Sequence, residues 1–178
     1  MNRKKRLTLA GVVGILACGA CGFPPLQPKT PLPPALVSVH TIAVKVEDGT
    51  NNNLFDSRTM SNATAENFNK FWHFPAHAIA FNAEESSDAV LKITVHSNTV
   101  SCKAESKGKQ DGYCLYKMLV SVTLTAADGR ILKSNPQALS RFVVSYHGNS
   151  PPEDLNANSL LQRVSDELAM TTGSLLYR

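Results

Sequence analysis

Two runs of strict alternation, joined through a pair of cysteines, set the tightest constraint on how this chain folds. Ala89, Leu91, Ile93 and Val95 alternate with Val90, Lys92, Thr94 and His96. Further on, Tyr116, Met118, Val120, Val122 and Leu124 alternate with Lys117, Leu119, Ser121 and Thr123. A period of two sends successive side chains to opposite faces of a sheet, so both runs read as long strands with one apolar face. Cys102 and Cys114 flank the polar loop from Lys103 to Tyr113, whose midpoint is Gly108. In an oxidising compartment a disulfide between them clamps the base of this hairpin, and closing a loop of that size stabilises the fold by roughly 3 kcal/mol. A metal site is the weaker reading, because no histidine stands within four residues of either thiol.

The clamp fixes the register and exposes a conflict. With Cys102 opposite Cys114 and an unbroken ladder, Val95 faces Ser121 and Ile93 faces Thr123, pairing core residues with polar ones. One extra residue in the first strand restores Val95 opposite Val120, Ile93 opposite Val122 and Leu91 opposite Leu124. The sequence therefore predicts a β-bulge between His96 and Thr99.

The remaining elements surround this hairpin. Residues His40 to Val46 alternate, with Ile42, Val44 and Val46 on one face, and read as a strand; Glu47 to Asn53 follows as a loop. Asp56 or Ser57 caps a helix to about Trp72, whose stripe is Met60, Ala63 or Thr64, Phe68, Phe71 and Trp72. Pro75 follows its end. Ala76 to Phe81 is a short strand with Ile79 and Phe81 inward. Asp128-Gly129 is a turn signal, Arg141 to Tyr146 a further strand, and a last helix from about Leu155 carries Leu161, Val164, Leu168 and Leu175. Two helices and a mixed sheet of four to five strands predict an α+β two-layer sandwich over residues 37–178, with helices on one face and the other face open.

Before this domain lies an address. Asn2 to Arg6 is a charged segment leading into Leu7 to Ala17, eleven residues without charge. As a helix these rise only about 16 Å, too little for a ~30 Å bilayer core, so residues 1–17 read as a signal peptide. No other stretch nears twenty apolar residues. Ile15-Leu16-Ala17-Cys18 fits a bacterial lipobox, with Cys18 as the acylated residue and Cys21 as the alternative. Three acyl chains at ~0.8 kcal/mol per buried CH₂ give an essentially permanent membrane anchor. Neither cysteine is followed by aspartate, since Gly19 and Gly22 stand there, which fits an outer-membrane address. Residues 18–36 form the lipidated tether, and Pro24 to Pro34 holds six of the ten prolines, favouring an extended semi-rigid chain.

The charge balance changes once the leader is set aside. It holds four of the 18 basic side chains and no acid, leaving 14 basic against 14 acidic residues. A neutral body argues against nucleic acid as a partner. The one local basic cluster, Lys103, Lys107 and Lys109, is interrupted by Glu105 and Asp111; it reads as a solvated hairpin tip or as point charges for phosphates of a lipid headgroup. No catalytic constellation stands out. His73 and His77 have metal-ligand spacing, but Pro75 breaks the helical face between them; there is no Gly-x-Ser-x-Gly and no Gly-rich phosphate loop. Glu84-Glu85 reads as a solvated pair and His96 as an exposed strand residue. The expectation is a non-enzyme without metal or cofactor.

Several short stretches, taken in order, resemble one family. They are Cys-Gly-Phe at 21–23, Leu32-Pro33, Thr41-Ile-Ala-Val44, Asp88-Ala-Val-Leu91, Asp128-Gly-Arg-Ile-Leu132 with Asn135-Pro136, and the C-terminal helix. Together they look like the LPS-assembly lipoproteins of the LptE family, in a divergent form. The resemblance implies a lipoprotein on the periplasmic side of the outer membrane that plugs and helps assemble a large β-barrel of the LptD type. Such a protein assists lipopolysaccharide insertion into the outer leaflet. The family's Cys-Gly-Phe favours Cys21 over Cys18 as the anchor. It also implies basic lipopolysaccharide contacts, for which Lys103, Lys107 and Lys109 are candidates by location. A second reading is an outer-membrane lipoprotein that docks and activates a periplasmic peptidoglycan synthase or a secretion component, since such proteins share the Thr-Ile-Ala-Val opening.

Overall fold

The structure is a computed structural model and describes residues 33–72, 76–78, 87–104, 111–147 and 158–177. After a short turn of 3-10 helix at Pro34–Leu36, the order is β1 (Ile42–Asp48), α1 (Ser57–Trp72), β2 (Ala76–Ala78), β3 (Ala89–Ala104), β4 (Asp111–Ala126), β5 (Ile131–His147) and α2 (Asn158–Leu176). The five strands form one mixed sheet in the order β2-β1-β3-β4-β5, with β1 parallel to both neighbours and the rest antiparallel. The fold is thus the α+β two-layer sandwich expected from the strand and helix order. The leader, Cys18, Cys21, the tether up to residue 32, His73, Ile79, Phe81, Glu84, Glu85, Lys107 and Lys109 lie outside the described residues.

The hairpin has the register that the cysteines demand. Cys102 and Cys114 are joined by a disulfide and lie directly opposite. Leu91, Ile93 and Val95 face Leu124, Val122 and Val120, and the register shifts between Val95 and Ser97. His96 is the extra residue. Its insertion changes which alternate positions turn toward the helix-covered side: Leu91, Ile93 and Val95 before it, Asn98, Val100 and Cys102 after it. The strands are longer than their alternation suggested, because the ladder continues through the polar residues Ser97 to Lys103 and from Ile131 to Ser140. Ladder hydrogen bonds need backbone, not apolar side chains. Pro136 sits in β5 near a second shift, between Val120 and Val122, on a strand that forms the sheet's edge, where its missing N–H leaves no gap in a ladder.

At the other side of the sheet, among the described residues, β2 pairs with Ile42, Ala43 and Val44 of β1. The N–H of Val46 donates to the Ser61 hydroxyl of α1 at 2.8 Å, and that hydroxyl donates to the Ser57 carbonyl at 2.6 Å. The start of α1 is well defined: the Thr59 N–H donates to Asp56 Oδ2 at 2.8 Å, and the flanking Phe55 and Met60 are both buried, in the positions of a hydrophobic staple. The parallel β1–β3 pair is fastened at its start by Asp88. Its Oδ2 accepts from the N–H groups of His40 (2.7 Å) and Thr41 (2.9 Å), and its own N–H donates to Thr41 Oγ1 at 3.0 Å. Those two backbone donors hold the Asp88 carboxyl below the ordinary aspartate range.

The buried stripe of α2 shares Val164 and Leu168 with the expected one and extends it to either side. Leu160, Val164, Leu168, Thr172 and Leu176 are buried at a spacing of four, whereas Leu161 and Leu175 are only partly covered. Thr172 breaks the apolar pattern, so the expected stripe, centred on Val164 and Leu168, did not include it. The two helices meet through polar and aromatic contacts. Asn67 Nδ2 donates to Ser165 Oγ at 2.9 Å, and the Trp72 indole N–H donates to the Ala169 carbonyl at 3.0 Å. Trp72 lies so close over Gly173 that a Cβ there would stand 2.0 Å from the indole ring. Trp72 then stacks on Tyr177 with centroids 5.1 Å apart. Among the described residues no helix is long and apolar enough to cross a membrane.

Replacing Ser61 by alanine leaves the buried Val46 N–H without an acceptor. Urea unfolding should register a loss of about 1–3 kcal/mol, the cost of an unsatisfied buried donor. A loss no larger than that caused by an exposed substitution on the same helix, such as Arg58→Ala, would contradict this role.

Candidate functional site

The helices cover one face of the sheet, and the other face divides into two halves at the bulge. On the β1 side charges are paired. Glu47 accepts from Lys45 and from Lys92, each at 2.8 Å. Burial alone would push the Glu47 carboxyl up, but the two lysines outweigh it and hold it below its usual range. At the bulge His96 Nε2 lies 2.8 Å from Ser121 Oγ, a polar link across the face. Among the described residues no three His, Cys, Asp or Glu side chains group as metal ligands.

Beyond the bulge the register builds a different surface. Four cross-strand rows stand on the outer face of β3, β4 and β5: Ser97–Leu119–Leu139, Thr99–Lys117–Arg141, Ser101–Leu115–Val143 and Lys103–Tyr113–Ser145. Leu139 and Val143 keep 58% and 47% of their surface exposed, which places them among the exposed large hydrophobic residues of the described chain. Lys117 and Arg141 are exposed and directly opposite each other, between an apolar row above and an apolar row below. Like charges in directly opposed positions destabilise a sheet. Neither has a carboxylate partner among the described residues, and these four rows contain no acid. The arrangement is a bipolar surface: two adjacent cations that can hold one anionic group, flanked by aliphatic side chains that can cover apolar chains.

Of the residues singled out in the sequence, Lys103 is exposed on this face, two rows from the Lys117–Arg141 pair, and Cys102 and Cys114 anchor the end of the hairpin that presents it. Lys107 and Lys109 lie outside the described residues. Sequence reasoning placed Lys117 on the polar side of its strand and Arg141 at the start of another, but did not pair them. The missing information was the β4–β5 register, which passes through two irregularities. One signal was available: Leu119 stands on a face otherwise read as polar.

Comparison with known proteins found no matching family model and no matching curated protein. Among solved structures, the chain is similar to the PelC dodecamer from Paraburkholderia phytofirmans at 12% identity, covering 83% of this chain and 92% of that one, with a TM-score of 0.43. It is also similar to protein XCC0632 from Xanthomonas campestris at 15% identity, over 85% and 89% of the two chains, with a TM-score of 0.41. The rare lipoprotein B from Shewanella oneidensis aligns at 9% identity, over 73% and 88%, with a TM-score of 0.34.

Because Leu139 and Val143 are exposed, replacing both by serine should leave stability within about 0.5 kcal/mol per site. The same double variant should bind a hydrophobic dye such as bis-ANS several-fold less. Unchanged dye binding would mean that the apolar rows are not an accessible surface.

Proposed function

We propose that the chain is a lipid-anchored protein of the outer membrane that handles lipopolysaccharide, working as the plug and assembly partner of an LptD-type β-barrel. The observation that carries this reading is the Lys117–Arg141 pair set between the Leu119–Leu139 and Leu115–Val143 rows. A lipopolysaccharide headgroup offers phosphates to two adjacent cations, and its acyl chains offer apolar surface to the flanking leucines and valine. A free inorganic anion would use the cations but not the rows; a neutral lipid would use the rows but not the cations. Lys103, on the same face, supplies a further point charge toward the hairpin tip. The anchor at Cys18 or Cys21 and a tether of modest length keep the domain close to the bilayer. That suits a partner embedded in the same membrane better than one reached across the periplasm.

The opposed cations have a cost that no acid among the described residues offsets, and they occur on the half of the outer face whose rows carry no carboxylate. In a protein whose work requires holding an anionic amphiphile that cost is offset by the ligand. The electrostatic share of binding between exposed groups falls with salt over a Debye length of about 8–10 Å.

Lys117→Glu combined with Arg141→Glu should weaken binding of purified lipopolysaccharide about tenfold or more, read by microscale thermophoresis, equivalent to about 1.4 kcal/mol per factor of ten. Raising salt should weaken wild-type binding and, by screening the repulsion between the new carboxylates and the phosphates, should not weaken the variant further. In cells, affinity purification of the tagged chain from detergent-solubilised outer membranes should recover a large β-barrel protein. Recovery of a peptidoglycan synthase with no barrel would contradict the proposal.

A further inference from the structure

The two edges of the sheet differ. Among the described residues the β2 edge spans Ala76–Ala78 and packs against α1. The β5 edge is 17 residues long. Its first half is interrupted: the register shifts twice, Pro136 removes a backbone donor, and Lys133 adds a charge. These are the features that keep edges from pairing with other chains. The second half has none of the first two. From Ala138 to His147 every residue pairs in continuous register with β4, from Val120 back to Asp111. This stretch contains no proline and no glycine, and it is rich in aromatic and β-branched residues. Among the described residues no strand lies against its far side.

We propose that the free edge of β5 over residues 138–146 accepts an extended segment of a partner protein as a sixth strand, and that the segment carries an acidic residue between apolar ones on its outer face. The backbone ladder would supply affinity and the side chains the selectivity. Charge complementarity sets the occupant's chemistry. The outward residues along this edge are Leu139, Arg141, Val143 and Ser145, with Lys117 behind Arg141 on β4, and no carboxylate among the described residues faces either cation. A strand laid beside them is stabilised by a carboxylate near Arg141 and by aliphatic side chains near Leu139 and Val143. A second copy of this chain is a poorer occupant, since its Arg141 and Lys117 would be brought up against the same two cations. The inference rests on the strand edge and does not require lipopolysaccharide binding.

The test uses the purified full chain in detergent and a peptide of about nine residues, long enough to span residues 138–146 when extended. In the peptide valine and glutamate alternate on one face and threonine fills the other. Amide hydrogen exchange followed by NMR should slow about tenfold or more for edge-facing amides within 138–146 when the peptide is added, without change in the β1–β3 ladder. The same peptide N-methylated on its pairing edge should give no protection, and a lysine-for-glutamate peptide should protect weakly. Arg141→Glu, an exposed substitution that leaves the fold intact, should reverse that order. Absence of protection with the acidic peptide, equal protection by the N-methylated one, or protection that grows with protein concentration in the absence of peptide would each overturn the proposal. The last outcome would identify a second copy as the occupant. Lipopolysaccharide affinity, measured separately, keeps this outcome distinct from that of the proposed function.

Discussion

A single inserted residue, His96, reconciles two demands on the long β3–β4 hairpin. Near α1 and α2 the hairpin must place Leu91, Ile93 and Val95 against the helices, and at its far end it must bring Cys102 opposite Cys114. With a side-chain period of two, both cannot be met by an uninterrupted ladder. The bulge shifts the inward set by one position and leaves each half of the hairpin internally regular. Much else depends on it. It aligns Val95 with Val120 and Asn98 with Met118, and it turns Ser97, Thr99 and Lys103 outward. It thereby completes the outer rows whose β4 and β5 members are Leu119 with Leu139 and Lys117 with Arg141.

The outer face shows how one sheet surface can hold two electrostatic regimes. On the β1 side Glu47 serves two lysines, so both cations have a carboxylate partner within the protein. Beyond the bulge Lys117 and Arg141 face solvent with no carboxylate beside them among the described residues, between apolar rows that are also uncovered. Either feature alone is ordinary on a protein surface, where isolated leucines and isolated lysines are common. Their combination in adjacent rows, with the like charges directly opposed, favours a ligand that is both anionic and apolar.

The sequence was informative where physics is local and periodic. Alternation located β1, β3 and β4, Asp56 marked the start of α1, and the two cysteines with the apolar runs predicted a bulge that the structure places at His96. Apolar spacing also located Val164 and Leu168 on the buried side of α2, but not Thr172, a buried position that an apolar pattern does not mark. The ends of the strands were misread because backbone pairing continues through polar residues. The Trp72–Gly173 approach could not be read at all, since a glycine inside a helix signals close contact without naming what makes it. The Lys117–Arg141 pair was hidden for a related reason. Each residue is unremarked within its own strand, and only the β4–β5 register, which passes through one irregularity at Pro136 and another before it, makes them neighbours.

The most direct test of the account is to locate the ligand on the sheet. Titrating lipid A into the purified chain and following backbone and methyl NMR signals should perturb Leu115, Lys117, Leu119, Leu139, Arg141 and Val143 together, with one affinity. The Lys45–Glu47–Lys92 cluster on the same face should remain unchanged. Perturbation confined to Lys103 and the hairpin tip, or spread evenly over both halves of the face, would contradict the assignment of the anionic amphiphile to the paired cations and their apolar rows.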